Sequence, residues 1–89
     1  MTVFLDTGPL GILTNPKRPP ETVNALTWAV AMRRAGHRFI VPAILDGDVL
    51  IAAQALDMGL PPSDFIIATV NVGHLALFVP ADLWTNITP

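Results

Sequence analysis

The chain has 89 residues, which leaves room for one domain. With 52% hydrophobic and only 13% charged residues it is too apolar to be disordered, so it must bury a large core or cover apolar surface with a partner. The formal net charge of −2 excludes a global basic field for nucleic acid, and any such contact would have to be local, at Lys17 and Arg18 or at Arg33, Arg34 and Arg38.

The chain contains no cysteine. Disulfides and thiolate metal sites are therefore excluded, in keeping with a reducing compartment. No basic n-region precedes an apolar h-region, which argues against a secretory signal. The longest apolar stretches are broken by Pro42, Asp46 and Asp57, short of the roughly 18–20 residues of a membrane span. The expectation is a cytoplasmic protein that does not enter a membrane.

Taken in order, "TVFL" predicts a short buried strand over 2–5, ending at Asp6. "TGPL" carries the turn residues Gly8 and Pro9, and "LGIL" has room for one helical turn. "TNPKRPPE" reads as a polar, proline-rich loop. Pro20 and Glu21 then suit the first turn of a helix, where proline is tolerated and an acid complements the dipole. Val23, Leu26 and Val30 recur at helical spacing, Arg33 and Arg34 fall in the last turn, and Gly36 is a natural stop.

"RFIVPAI" predicts a second strand over 38–44. A helix over about 47–58 follows, with Asp46 as N-cap, Asp48 in the first turn and Gly59 as the stop. Val49 to Ala53 is unbroken apolar sequence, so this helix is expected to be buried on more than one side. "PPSD" reads as a loop and "FIIATV" as a third strand over 65–70. "NVGH" is a turn, "LALFVP" predicts a short fourth strand, and "ADLWTNI" a terminal turn or short helix anchored by Trp84. No internal repeat is visible.

Strand and helix alternate as in a parallel sheet with crossover helices, so the fold class is α/β. In such sheets ligands lie beyond the carboxyl ends of the strands. Asp6 follows the first strand there, Asp46 and Asp48 the second, and Asn71 with His74 the third. Aspartates sharing a dry rim repel one another, and a hard divalent cation such as Mg²⁺ relieves that repulsion while taking one or two carboxylates directly. Each position also has a plain structural use: Asp46 as a cap, Asp48 against the helix dipole, Asn71 in a turn, His74 in packing or capping.

These residues resemble a family. "VFLDTGPLGIL" looks like the opening of a PIN domain, the fold of VapC-type toxin ribonucleases. "DGDVLIAAQALDMG" is similar to that family's later acidic helix, and "IIATVNVGHLALF" to the strand and polar loop after it. The resemblance implies a three-layer fold with a short, mostly parallel sheet of about four strands. It further implies a nuclease dependent on Mg²⁺ or Mn²⁺ that cuts RNA as the toxin of a toxin–antitoxin pair. Under it Asp6 and Asp48 are catalytic. Asp6, Asp46, Asp48 and Asn71 hold the metal, and His74 sits where such loops carry His or Asp. The implied partners are an RNA substrate and an antitoxin protein.

The chain departs from that pattern in its middle. The family has a helical segment bearing a Glu between the second strand and the Asp helix, whereas here Ile44 runs straight into "LDGD". Loss of that layer would uncover an apolar face, which argues for a homo-oligomer or a bound partner. It also opens the alternative of an impaired PIN remnant that serves as a protein-binding or dimerisation module. "ILDGD" resembles the Asp-x-Asp of Toprim-type phosphotransfer sites as well; that fold calls for a Glu ending an earlier strand, where this chain has Asp6.

Overall fold

The computed structural model describes residues 1–42, 48–73, 75–77 and 79–89, and of residues 48–52 the backbone only. These residues form strand β1 (Thr2–Leu5), helix α1 (Thr7–Thr14), helix α2 (Pro20–Arg34), strand β2 (Arg38–Ile40), helix α3 (Asp48–Asp57), strand β3 (Phe65–Thr69) and strand β4 (Ala81–Leu83). Short 3-10 turns lie at Leu75–Leu77 and Trp84–Asn86. The four strands make one all-parallel sheet in the order β2-β1-β3-β4. The α/β class and the sheet of four strands expected from the sequence are observed.

Strand alternation divides the core into two layers. Val3, Leu5 and Ala68 face α1 and α2, where they pack with Ala25, Met32, Trp84 and Ile87. Phe4, Phe65 and Ile67 face the opposite side and pack with Ala55 of α3, Leu75 and Val79. All four residues of β1 are buried, as expected of a central parallel strand covered on both faces. The connection from β1 to β2 moves one way along the sheet and the connection from β2 to β3 moves back across β1. Right-handed crossovers that run in opposite directions must use opposite faces, and α2 and α3 are placed so.

Helix α1 is longer than the single turn expected from "LGIL". It starts at Thr7, directly after Asp6, whose carboxylate accepts a hydrogen bond from the Thr7 N–H at 2.7 Å. The first intrahelical bond runs from Leu10 N–H to Asp6 O. Pro9 therefore sits where a helix has no use for an N–H, and it extends the helix instead of breaking it. Helix α2 begins at Pro20 and carries Glu21 and then Arg33 and Arg34 at the expected ends. Gly36 follows in left-handed backbone, φ 94.

The Val23–Leu26–Val30 spacing marks the helix but not its buried side. The buried residues of α2 are Thr22, Ala25 and Met32, while Val23 and Val30 are about half exposed. Thr22 donates its hydroxyl proton to Ile12 O at 2.6 Å, and Trp28 Nε1–H donates to Ile87 O at 2.7 Å. These bonds to α1 and to the C-terminal segment orient the helix. Trp28 also meets Trp84 and Phe39, with ring centroids 5.5 and 5.4 Å apart. Trp84 is thus the anchor that its sequence position suggested.

Two strand expectations are corrected. Strand β2 ends at Ile40, opposite Phe4, and Val41 and Pro42 lie outside it; Pro42 has no N–H to give the ladder. Residues 43 and 44 of that predicted strand lie outside the described residues. "LALFVP" does not supply the fourth strand. Leu75 and Val79 are buried four residues apart while Leu77 is 77% exposed, a helical rather than a strand spacing. The strand starts after Pro80, whose carbonyl accepts from Ile67 N–H, and proline suits the entry to an edge strand. Among the described residues no helix is long and apolar enough to cross a membrane.

Candidate active site at the carboxyl edge of the sheet

With β2 and β3 on either side of β1, the chain reverses its direction across the sheet between β1 and β3. Open parallel sheets place their ligands at such a switch point, outside the carboxyl ends of the two strands. Asp6 stands there. Its N–H continues the ladder by donating to Ala68 O at 3.0 Å, and since Leu5 pairs with Ala68, Asp6 arrives beside Thr69.

The two side chains meet directly. Thr69 is fully buried, and its hydroxyl lies 2.7 Å from Asp6 Oδ2. The Thr69 hydroxyl oxygen is also 3.2 Å from Asn71 O. A hydroxyl has one proton, and the shorter, charge-assisted bond to the carboxylate takes it. The Thr69 oxygen in turn accepts from Asn71 N–H at 3.1 Å. Asp6 Oδ1 accepts from Thr7 N–H at the start of α1, where the helix dipole favours negative charge. One carboxylate is thus held from both sides, by a helix terminus and by a buried hydroxyl.

Gly8 lets α1 reach this position. A Cβ there would lie 2.5 Å from Cγ2 and 2.9 Å from Cγ1 of Val70, so the first turn of α1 rests against the exit of β3. In the sequence Gly8 has the character of a turn residue, whereas in the fold it serves close packing.

Of the residues expected to form the site, the structure places Asp6 and Asn71 on either side of Thr69. Asn71 is exposed. Asp48 is the first residue of α3. That helix must run antiparallel to the strands it connects, so its first turn belongs to the same edge of the sheet. The Asp48 side chain, all of Asp46 and all of His74 lie outside the described residues. Thr69 was missed as a site residue because threonine is an ordinary strand former. The available signal was a hydroxyl at a strand's carboxyl end, two residues before a polar turn.

Among the described residues no three His, Asp or Glu side chains stand close enough to hold a metal ion. Asp82 is occupied on the edge strand, where Oδ1 accepts from Leu83 N–H and from Asn86 Nδ2, and Asp64 lies at the opposite, amino edge beside Thr2. Among the described residues the acidic donor at the switch point is the one oriented carboxylate of Asp6. Each Asp6 oxygen accepts one hydrogen bond and keeps a further lone pair. Such an oxygen donor fits a hard cation which keeps most of its water and takes one or two carboxylates. Compared with known proteins, the chain matches no family model, no curated protein and no solved structure.

Proposed function

We propose that the chain is a divalent-cation-dependent phosphodiesterase of the PIN type that acts on RNA. The observation that carries this reading is the Asp6 carboxylate, pinned by Thr69 and by the start of α1 at the β1–β3 switch point. Such a switch point is where open parallel sheets place their ligands. RNA as substrate, and an antitoxin as partner, rest on the resemblance of "VFLDTGPLGIL", "DGDVLIAAQALDMG" and "IIATVNVGHLALF" to the VapC-type toxins.

In this reading Asp6 and Asp48, with Asp46 and Asn71 beside them, hold Mg²⁺ or Mn²⁺. The bound cation supplies positive charge against the phosphate and an activated water. Asp6 is kept in one orientation by its two donors, so no side-chain freedom is lost when it takes a ligand. The exposed Asn71 amide offers an N–H donor to a phosphate oxygen.

The test is cleavage of a labelled RNA by the full chain over a titration of Mg²⁺ and Mn²⁺. The reading expects metal-dependent products that vanish with Asp6→Asn. Intact RNA at every metal concentration, with folded protein, would end it.

A second reading draws on a different observation. Leu56 of α3, Met58 after it and Leu77 in the neighbouring 3-10 turn are 52%, 49% and 77% exposed. An uncovered apolar region on this side favours a binding or dimerisation module with impaired chemistry. Light scattering with and without Mg²⁺ separates the two: a stable oligomer indifferent to metal, together with inert RNA, supports the module.

A further inference from the structure

Helix α2 has a second apolar side. Thr22, Ala25 and Met32 face the core, yet the most regular stripe, Val23, Leu26 and Val30, lies on the outside, with Val23 51% and Val30 48% exposed. These three, with Arg18, Thr27 and Arg34, line a shallow groove along the helix. From Val23 to Arg34 the stripe is about 17 Å long at roughly 1.5 Å per residue. That shape suits an elongated occupant. Valine is a mediocre helix former, and its repeat at helical spacing on an open face has no use within the fold described above.

Charge decides which occupant. Arg18 and Arg34 mark the two ends of the groove, and its lining contains no acid. The turn from Asn15, with Arg18 in left-handed backbone at φ 48, sets Arg18 beside the start of α2. Among the described residues no hydrogen bond or ion pair joins either guanidinium to a carboxylate. A second copy is a poor fit. Antiparallel pairing of two stripes brings Arg18 of one copy to Arg34 of the other, and parallel pairing brings like residues together. Either way, arginine meets arginine at both ends, and like charges set opposite each other work against association.

We propose that this groove docks an amphipathic helix of a partner protein, one whose apolar residues recur every three to four positions and whose ends carry Asp or Glu. The apolar stripe supplies the contact area, and the two arginines fix register and reject basic partners. This surface is independent of the chemistry at Asp6.

The probe is a synthetic helical peptide of about four turns with a leucine stripe and glutamates at both ends. Its twin carries lysine in place of every glutamate. Fluorescence anisotropy against the full chain is expected to show saturable binding of the glutamate peptide and at least about fivefold weaker binding of the lysine peptide. V23S/V30S should weaken the glutamate peptide by about tenfold, and R18E/R34E should invert the preference. All four positions are exposed, so the fold should persist, as circular dichroism would verify. Equal affinity for both peptides, or no binding at about 1 mM, overturns the proposal. So does self-association abolished by V23S/V30S, since the occupant would then be a second copy. A chain that cuts no RNA yet distinguishes the peptides keeps this inference and loses the nuclease reading.

Discussion

The hydroxyl of Thr69 donates to Oδ2 of Asp6 at 2.7 Å across the β1–β3 boundary. The bond joins the last residue of one central strand to the first residue beyond another, and the Thr69 oxygen also accepts from Asn71 N–H. A buried hydroxyl that serves a carboxylate on one side and a loop amide on the other is expensive to remove.

Thr69→Val keeps the shape and deletes the hydroxyl. It leaves Asp6 Oδ2 and the Asn71 N–H each without a partner, so stability should fall by about 1–3 kcal/mol. Thr69→Ser retains both bonds and should lose less. Urea denaturation measures this as a lower midpoint at unchanged slope. Equal midpoints for Thr69→Val and the parent chain would show that the bond contributes nothing.

Asp6→Asn separates fold from chemistry. Asparagine caps helices about as well as aspartate, so stability should change by no more than about 1 kcal/mol. RNA cleavage with Mg²⁺ or Mn²⁺ should fall by about a hundredfold or more, since the oriented carboxylate is lost. Activity retained in Asp6→Asn would remove Asp6 from the site.

Gly8→Ala should destabilise the chain although alanine is the better helix former by about 1 kcal/mol. The new Cβ would lie 2.5 Å from Val70 Cγ2, and overpacking of this kind costs about 1–3 kcal/mol. Val70→Ala in the same chain should relieve most of that loss. A double-mutant cycle reads the coupling directly; additive effects would mean that α1 does not rest on Val70.

Helix α2 should tolerate change on one side only. Met32, fully buried, should cost about 2–5 kcal/mol as Met32→Ala. Val23→Ser and Val30→Ser should each stay within about 0.5 kcal/mol, as open surface positions do. Thermal melts of the three variants would check the assignment, and a large loss from Val30→Ser would place that stripe in the core.

The amino-acid sequence by itself determined whatever rests on local chemistry. Buried β-type runs, proline and acid at the start of α2, its arginines and glycine at the end, and Gly59 in left-handed backbone after α3, φ 72, all act within a few residues. Together they suffice for an α/β chain with polar groups gathered at one edge. Only the tertiary structure decided what depends on distant neighbours. It chose the side of α2 that faces inward through bonds from Thr22 to Ile12 and from Trp28 to Ile87. It moved the fourth strand past Pro80, where the edge of β3 was free to accept it. And it set Asp6 against Thr69, 63 residues away, because parallel pairing, not chain proximity, fixes which residues meet at the end of a sheet.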